Sequence, residues 1–353
     1  MKTMVREKVM EEPARDALGQ SEIVSANDDG KFFLVTNNPI TGGFFKAREH
    51  VKEAIFVRRE AEARVSCGLL TLSAETESQI AALSTSVAQV LVFALYRARQ
   101  KGYPDEGIAE TAKSFMEARG GLKDRKEARK QLWEGIKALE KITVSFDVEK
   151  YMKSVKGRKL SPSEEAMKNL KSFPLLCGTL SEHQRSKYIP ICFSPQFNYY
   201  LKQTLPMPYP SALLTANPYR YPLIFSLAYL IFSHKNMTSR FRKGEENANA
   251  QIRENVLSVK SLLDAVNLPH YKNATGTSLT NYRRDIIIPI ERSLNFFSDT
   301  FTWTYCRARG ATLDKDFHIL PQNYDSLFVL FSFLNYIETP RCVSLKEPEG
   351  RRS

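Results

Sequence analysis

On one predicted helix, lysine side chains are spaced so that they could bind a polyanion together. Over residues 122–141 the apolar positions share one side of a helical wheel, and they are Ala128, Leu132, Ile136 and Leu139. The cations lie mostly opposite, at Lys123, Lys126, Lys130, Lys137 and Lys141, with Arg129 on a flank. Cations that share a bearing suit a nucleic-acid phosphate backbone, where they position a protein without selecting a sequence. The alternative is a solvated helix face, because Glu134 and Glu140 dilute the positive field.

A second predicted helix, residues 278–296, carries side chains that can distinguish bases. Its inward stripe is predicted to be Leu279, Tyr282, Ile286, Ile290 and Leu294. The candidates for DNA contact are Thr277, Asn281, Arg283, Arg284 and Arg292. Asn281 and Arg284 are the favoured base contacts, because asparagine and arginine bind adenine and guanine through paired hydrogen bonds, worth about 1–3 kcal/mol of discrimination. Ile288 also falls on the outer face, and Pro289 should bend the helix. The alternative is a surface helix of an all-α domain.

Two arginines follow a predicted aromatic strand, FTWTYC, at residues 301–306. Arg307 and Arg309 lie in the loop beyond it, where the tip of a β-hairpin could meet a phosphate or a minor groove. Loop arginines are common, so this signal is weak alone. Trp303 and Tyr305 are predicted to belong to the core rather than to a base-stacking surface.

Composition points to a polyanionic partner. The chain has 353 residues, a formal net charge of +12 and an isoelectric point near 9.3. Such a charge supplies affinity for nucleic acid through counterion release, although a basic protein without that role has the same composition. Apolar residues make up 42% of the chain, enough for ordinary globular cores.

Catalytic and metal-binding signatures are absent from the sequence. There is no phosphate-binding P-loop and no G-x-S-x-G, and no two of the five histidines have metal-ligand spacing. We therefore predict no enzyme activity, no metal and no cofactor, with an unrecognised nuclease as the alternative. The scattered cysteines fit a reducing cytoplasm and are predicted to be small buried hydrophobes: Cys67, Cys177, Cys192, Cys306 and Cys342.

The elements that position these side chains occur twice in the same order. The first set is predicted to have helices at 80–101, about 106–119 and about 124–141, the last with an Asp124–Glu127 capping box, then a strand at 142–147. Strand-like runs at 172–180 and 187–195 make a plausible hairpin, followed by a short helix at 197–203. The second set is predicted as helices at 219–234, 259–267 and 278–296, the strand 301–306 and a closing apolar helix at 327–337.

A helix, a turn, a helix with a basic outer face and then strands is the order of a winged-helix domain. The predicted class is therefore α+β, mostly helical, with two tandem winged-helix domains. The predicted divisions are a polar accessory segment 1–72, domains 73–203 and 217–340, a proline-rich linker 204–216 and a polar tail 341–353. Residues 1–30 are predicted to be poorly ordered. The longest apolar run, Tyr221 to Phe232, is too short to cross a bilayer, so no membrane insertion is predicted.

Several of these segments resemble the replication initiator proteins of iteron-containing bacterial plasmids. In the first half the similar runs are LWEGIKALEKITVSF, FPLLCGTLSE and YIPICFSPQFNYYL. In the second half they are NPYRYPLIFSLAYLIF, VKSLLDAVNLPHY and RRDIIIPIERSL. The resemblance covers roughly residues 70–310 and consists of patterns of residue class rather than invariant motifs. The long N-terminal segment and the polar insertion at 234–249 depart from the family's pattern.

The resemblance implies a sequence-specific double-stranded DNA-binding protein that starts plasmid replication. Such initiators bind repeats at an origin with two winged helices in successive major grooves, and they promote melting of an adjacent A·T-rich segment. The implied partners are origin DNA and host replication proteins such as the helicase, with a possible homodimer and a cytoplasmic location. The alternative is a winged-helix transcriptional regulator without a replication role, which the sequence does not separate from an initiator.

Overall fold

The computed structural model of the chain describes residues 32–36, 41–45, 63–67, 69–120, 124–154, 160, 162–178, 186–204, 206–240, 255–314 and 316–334. About half of these residues are helical, and the strands form small antiparallel sheets, which confirms the predicted α+β class. The predictions for residues 1–30, for the tail 341–353 and for Lys123 lie outside the described residues.

The first elements lead to a long apolar helix. They are β1 (Phe32–Thr36), α1 (41–45), β2 (Ala63–Cys67), β3 (Leu70–Ala74), α2 (Glu77–Ala81) and α3 (Thr85–Gln100). The single helix predicted for 80–101 is thus two helices. Thr76 and Gln79 form a capping box that starts α2, and the chain turns at 82–84 before α3 begins. Helix α3 is followed by a turn at Gly102, whose φ of 71° favours glycine.

The helix predicted for 106–119 is wrong in its first half. The chain forms β4 (Ile108–Thr111) and only then α4 (Ala112–Arg119), which a Thr111–Ser114 capping box starts. Burial alternates along β4, where Ile108 and Glu110 are buried and Ala109 is exposed, as a strand requires. The preceding Gly107 has a φ of 79° and lies so close to another strand that an added Cβ would be 2.6 Å from the Ile191 carbonyl oxygen.

Helix α5 (Arg125–Glu140) confirms the third predicted helix of this half. Its four predicted apolar positions are all buried. Gly135 lets α5 approach α3 closely, because a Cβ there would lie 2.6 Å from Val90 Cγ2. The Asp124 carboxylate caps the helix by accepting from Lys126 N at 2.8 Å. Glu127 accepts from Gln131 Nε2 at 2.9 Å instead of completing the predicted capping box.

The first half closes with β5 (Thr143–Phe146), α6 (Val148–Ser154), α7 (Pro162–Met167), β6 (Ser172–Pro174), β7 (Tyr188–Ile191) and α8 (Pro195–Lys202). Strand β5 and helix α8 confirm the prediction. The expected hairpin is different, because β6 joins the sheet β2-β3-β5-β6 and β7 pairs with β4. The two runs meet just beyond β6, where Leu176 and Phe193 form an antiparallel bridge.

The proline-rich segment leads into the second half. It contains β8 (Pro206–Pro210), which pairs antiparallel with β1, and α9 (Ala212–Thr215). Helix α10 (Ile224–Arg240) follows and begins five residues later than predicted, after a turn at 218–223. Next come β9 (Val256–Ser258) and α11 (Val259–Ala265), which is capped by Ser258 Oγ.

The next helix is interrupted by one wide turn. It consists of α12 (Gly276–Thr280), a π-helical turn at Arg283–Ile287 and α13 (Ile288–Asn295). Pro289 has no N–H to donate to the carbonyl four residues earlier, so the predicted local distortion is accommodated as a π turn. The predicted strand follows as β10 (Phe301–Cys306).

The predicted closing helix at 327–337 is wrong. The chain forms α14 (Pro321–Tyr324) and then β11 (Phe328–Phe333), which lies between β10 and β9 in one sheet. Val329 and Phe331 are buried on one face of β11. A six-residue apolar run with strand partners on both sides satisfies its backbone groups better as a strand than as a helix of less than two turns.

Helices α3 and α10 pack together at the centre. Helix α3 also contacts α5, and α10 also contacts α13, so these four helices follow one another in the order α5, α3, α10 and α13. Thr85 Oγ1 donates to the Pro222 carbonyl at 3.2 Å, and buried Gln89 donates to the carbonyls of Leu214 and Ala216. The two halves are therefore joined through buried, hydrogen-bonded contacts.

Candidate nucleic-acid interface

The exposed side of α5 carries the predicted cationic face. Lys126, Lys130 and Lys137 are exposed, as is Arg125, which the sequence reasoning did not single out. Arg129 is half-buried, with its guanidinium 5.8 Å from the centre of the Trp133 ring. The lysine positions follow from the 3.6-residue period that buries the opposite side against α3.

A polar cluster fixes the angle between α4 and α5. Arg119, at the end of α4, donates to the Gln131 side chain, and Gln131 in turn donates to Glu127. Burial lowers the pKa of the Arg119 guanidinium, an effect that the negative charge of Glu127 opposes. The exposed face of α5 is thus supported by a helix held in a set orientation.

The second candidate surface follows α12 and α13. Arg284 and Arg292 are exposed, Asn281 is half-buried, and the side chain of Thr277 lies outside what the structure describes. The predicted inward stripe is buried from Tyr282 to Leu294. Ile288 is 36% exposed, on the outer face where the helical wheel placed it.

Leu279 corrects the predicted stripe, because 43% of its side chain is exposed. The intervening π turn contains an extra residue relative to an α-helical turn. One extra residue rotates the side chains before it by about 100° around the helix axis relative to the side chains after it. A helical wheel fitted to α13 and extended back into α12 therefore assigns residues of α12 to the wrong face.

Two of the predicted DNA-contacting side chains, one of them the predicted base contact Arg284, are hydrogen-bonded within the chain. Arg284 Nε donates to Asp285 Oδ1 at 2.7 Å, and its Nη2 donates to Oδ2 at 3.2 Å. This hydrogen-bonded pair raises the pKa of the Arg284 guanidinium and lowers that of the Asp285 carboxyl. Arg283 Nη1 donates to the Ile319 carbonyl at 3.4 Å. Within the described residues Arg292 has no ion-pair partner, so it is the most available cation of this helix.

The loop beyond β10 places one of its two arginines in an ion pair. Arg307 is exposed and pairs with Asp314, while its N–H donates to the Ala311 carbonyl at 2.8 Å. Arg309 lies in the 3₁₀ turn Ala308–Gly310, and its side chain is outside the described set. The structure therefore keeps the loop next to the strand, as predicted, and compensates the Arg307 charge locally.

A tyrosine network behind α13 holds the helix against the sheet. The Tyr305 hydroxyl donates to Glu291 Oε1 at 3.1 Å and lies 3.3 Å from the Tyr324 hydroxyl. Burial raises the pKa of Tyr305, of Tyr324 and of Tyr282, so these phenols stay protonated donors. Trp303 is half-buried and donates to Asn295 Oδ1 at 2.9 Å. Trp303 and Tyr305 thus anchor α13, consistent with their predicted core role.

Sequence reasoning missed an exposed pair at the junction between the two halves. Tyr219 is 86% exposed and Arg220 beside it is exposed as well. Asn217 begins their turn, because its Oδ1 accepts from the N–H groups of Tyr219 at 2.9 Å and Arg220 at 3.1 Å. The Asn-Pro dipeptide that starts this segment was the available signal, since it favours such turns.

The cysteines also differ from the prediction. Cys177 and Cys192 are half-exposed and lie opposite each other, whereas Cys306 is buried as expected. Cys177 N donates to the Cys192 carbonyl at 2.8 Å, and both thiols approach the Phe193 carbonyl, at 3.9 and 3.7 Å. Burial and the adjacent Cys177 thiol raise the pKa of Cys192. The side chain of Cys67 and all of Cys342 lie outside the described residues.

Among the described residues, no three His, Cys, Asp or Glu side chains come together in a way that could hold a metal ion. No helix in that part of the chain is both long enough and apolar enough to cross a bilayer. No protein-family model matches the chain, and no curated protein sequence matches it.

Proposed function

We propose that the chain binds duplex DNA through two tandem winged-helix domains, one in each half. The observation that carries the proposal is a repeated element order. In each half the third helix is exposed on one side, carries cations there and is followed by strands. In the second half the order is α10, β9, α11, the helix formed by α12 and α13, β10 and β11. In the first half it is α3, β4, α4, α5 and β5, followed by β6 and β7.

Strand pairing in the two halves supports this reading. In the second half the last strand lies between the other two, in the order β9, β11, β10. In the first half two strands of the returning chain share these pairings, since β6 pairs with β5 and β7 pairs with β4. A short sheet with a returning strand placed between its first two strands is the sheet of a winged helix, and it leaves the third helix free to enter a major groove.

The charges on the third helices support different roles for the two halves. The lysines of α5 suit phosphate contacts, which set affinity and its salt dependence. Asn281, Arg284 and Arg292 on the second helix suit base edges, which set specificity. A chain built from both would bind all duplexes weakly and one class of site tightly.

The resemblance described above extends the proposal from binding to replication. We propose that the bound site is a set of repeats at a plasmid origin, that binding promotes melting of neighbouring A·T-rich DNA, and that host replication proteins are recruited there. A plasmid that carries only this gene and its flanking DNA tests this step. Its persistence in a host supports an initiator, and its loss together with intact repression of the gene's own promoter supports a regulator without a replication role.

The binding step is tested with fluorescence anisotropy on two duplexes, one of random sequence and one taken from the DNA that flanks the gene. Wild-type protein should bind both and prefer the second. Lys126→Ala should weaken both alike and reduce the slope of log affinity against log salt by about one unit. Lys168→Ala is the matched control, because it removes an exposed lysine near α7 that pairs with Glu165. Absence of duplex binding by the wild type, or equal effects of both variants, would overturn the proposal.

A further inference from the structure

The junction between the two halves presents a tyrosine and an arginine to solvent on a fixed turn. Tyr219 is the most exposed of the large apolar side chains in the part of the chain that the structure describes. Its neighbour Arg220 is exposed and holds its guanidinium 5.5 Å from the centre of the Tyr221 ring. An exposed tyrosine alone is ordinary, so the inference rests on the turn and on its place in the fold.

The turn is ordered by its own hydrogen bonds. In addition to the two N–H groups that Asn217 Oδ1 accepts, the Asn217 carbonyl accepts from Tyr221 N at 3.0 Å. Pro218 within the turn is buried, and Leu223 after it is buried as well. Side chains held on an ordered backbone lose less conformational entropy when they bind a partner.

The turn adjoins an element of each half of the chain. On one side the residue just before the turn, Thr215, approaches the end of α4, because a Cβ on Gly120 would lie 3.2 Å from Thr215 Cγ2. On the other side the rings of Tyr221 and Phe296 are 4.6 Å apart. The turn therefore lies between the end of α4, whose Arg119 donates to Gln131 of α5, and the end of α13.

That position has a consequence on duplex DNA. Two helices that enter successive major grooves on one face of a duplex are separated by a minor groove. An arginine there is attracted by the negative potential of a narrow A·T-rich groove, and an aromatic ring can pack against sugars or wedge at a base step. The guanine 2-amino group obstructs the floor of this groove in G·C pairs.

We propose that Tyr219 and Arg220 enter the minor groove between the two segments contacted by the third helices, and that they select A·T pairs there. The inference rests on the proposed function, because it requires the chain to lie along duplex DNA. It adds a third contact, read from the minor groove by a turn that belongs to neither third helix.

Dimethyl sulfate protection tests the proposal, since this reagent methylates guanine N7 in the major groove and adenine N3 in the minor groove. The DNA is a duplex selected from a random pool by the wild-type protein. Wild-type protein should protect two blocks of guanine N7 and, between them, adenine N3. Arg220→Ala should lose the adenine protection and keep both guanine blocks. Arg220→Lys should restore part of it, and Tyr219→Ala should weaken it without unfolding the protein, because the ring is exposed.

A base-pair exchange supplies an independent measurement. When the central A·T pairs are replaced by G·C, wild-type affinity should fall about 10-fold. Replacement by inosine·cytosine should restore the affinity, because inosine lacks the 2-amino group yet keeps the major-groove atoms of guanine. Arg220→Ala should bind all three duplexes equally.

The outcomes separate the two proposals. Absence of any guanine N7 protection would overturn the proposed function itself. Two guanine blocks without central adenine protection in the wild type, or unchanged protection in Arg220→Ala, would overturn only the minor-groove contact. Permanganate-reactive thymines at the centre without adenine N3 protection would also overturn it, because the turn would then contact unstacked bases.

Discussion

Arg284 and Asp285, adjacent in the second candidate recognition helix, form a two-point ion pair with N–O distances of 2.7 and 3.2 Å. An arginine that holds a carboxylate through its Nε and Nη2 donors offers fewer donors to a guanine. On the proposed function, the pair should therefore oppose DNA binding. In the free protein Asp285 balances the positive charge of Arg284, the side chain that could bind a base edge.

Asp285→Asn should increase affinity for all duplexes about two- to fivefold, because it releases the guanidinium and removes a negative charge from the surface proposed to contact DNA. Arg284→Ala should instead relax sequence preference. The hydrogen bond from Arg284 lowers the pKa of the Asp285 carboxyl below its ordinary value of 3.8. The ion pair is therefore fully formed above pH 3.8 and is lost only as the pH falls through the lower pKa of the folded state. The advantage of Asp285→Asn should consequently be the same at pH 6 and pH 8. Asp299→Asn, which removes an exposed carboxylate beyond α13, is the charge control, and an equal gain there would contradict the explanation.

Arg97→Ala should destabilise the fold through a buried carboxylate. The Glu110 side chain is 2% exposed and pairs with Arg97 at 3.0 Å and with Lys101 at 3.4 Å. Removal of one partner from a buried pair costs several kcal/mol, and the remaining lysine reduces the loss to about 2 kcal/mol. Urea unfolding measures it. Lys168→Ala, which breaks an exposed pair at 2.6 Å, should cost less than about 0.5 kcal/mol, and similar midpoints for both variants would contradict the role of burial.

Cys177 and Cys192 should form an intramolecular disulfide when the protein is treated with diamide. Each thiol loses one proton and one electron, and the diamide is reduced to its hydrazine. Burial and the neighbouring thiol raise the pKa of Cys192, so the reaction should accelerate as the pH rises and more thiolate forms. Intact mass and peptide mapping detect the loss of two hydrogen atoms. Cys306→Ser should not affect the reaction, because that thiol is buried, whereas failure of the wild type to form the bond would show that the two sulfur atoms cannot meet.

Gly135→Ala should lower stability, because the added methyl would lie 2.6 Å from Val90 Cγ2 where α5 crosses α3. Overpacking of this kind costs about 1–3 kcal/mol. Urea unfolding again provides the measurement. Ala138→Gly, a change in the same helix at a half-buried position, serves as a comparison with a cost of about 1 kcal/mol from helix propensity alone. An unchanged midpoint for Gly135→Ala would mean that α3 and α5 can separate freely.

Local periodicity was sufficient to predict the elements that are buried on one side only. Helix α5 and strand β10 could be predicted because their apolar residues recur at 3.6 and 2 positions along segments that pack on one face. The candidate lysines and arginines on those elements could be placed for the same reason. Leu279 was misplaced because a π turn, caused by a proline ten residues further on, shifts the helical register before it.

Features created by distant pairing could not be predicted from local patterns. Strand β4 is defined by β7, about eighty residues away in the chain, and β11 is a strand because β9 and β10 flank it. The same holds for the thiol pair, which a bridge between Leu176 and Phe193 brings together. Tyr219 and Arg220 were overlooked because nothing in their spacing signals a surface; their interest comes from the two helices that the turn adjoins.

The buried hydrogen bonds from Thr85 and Gln89 of α3 to the segment before α10 limit how far one half can rotate against the other. If the chain contacts two DNA segments as proposed, it should tolerate only one spacing between them. Five extra base pairs would turn the second segment to the far side of the duplex, and ten would return it to the near side about 34 Å away. Both insertions should therefore reduce affinity to that of a single half, whereas flexibly tethered halves would recover with ten.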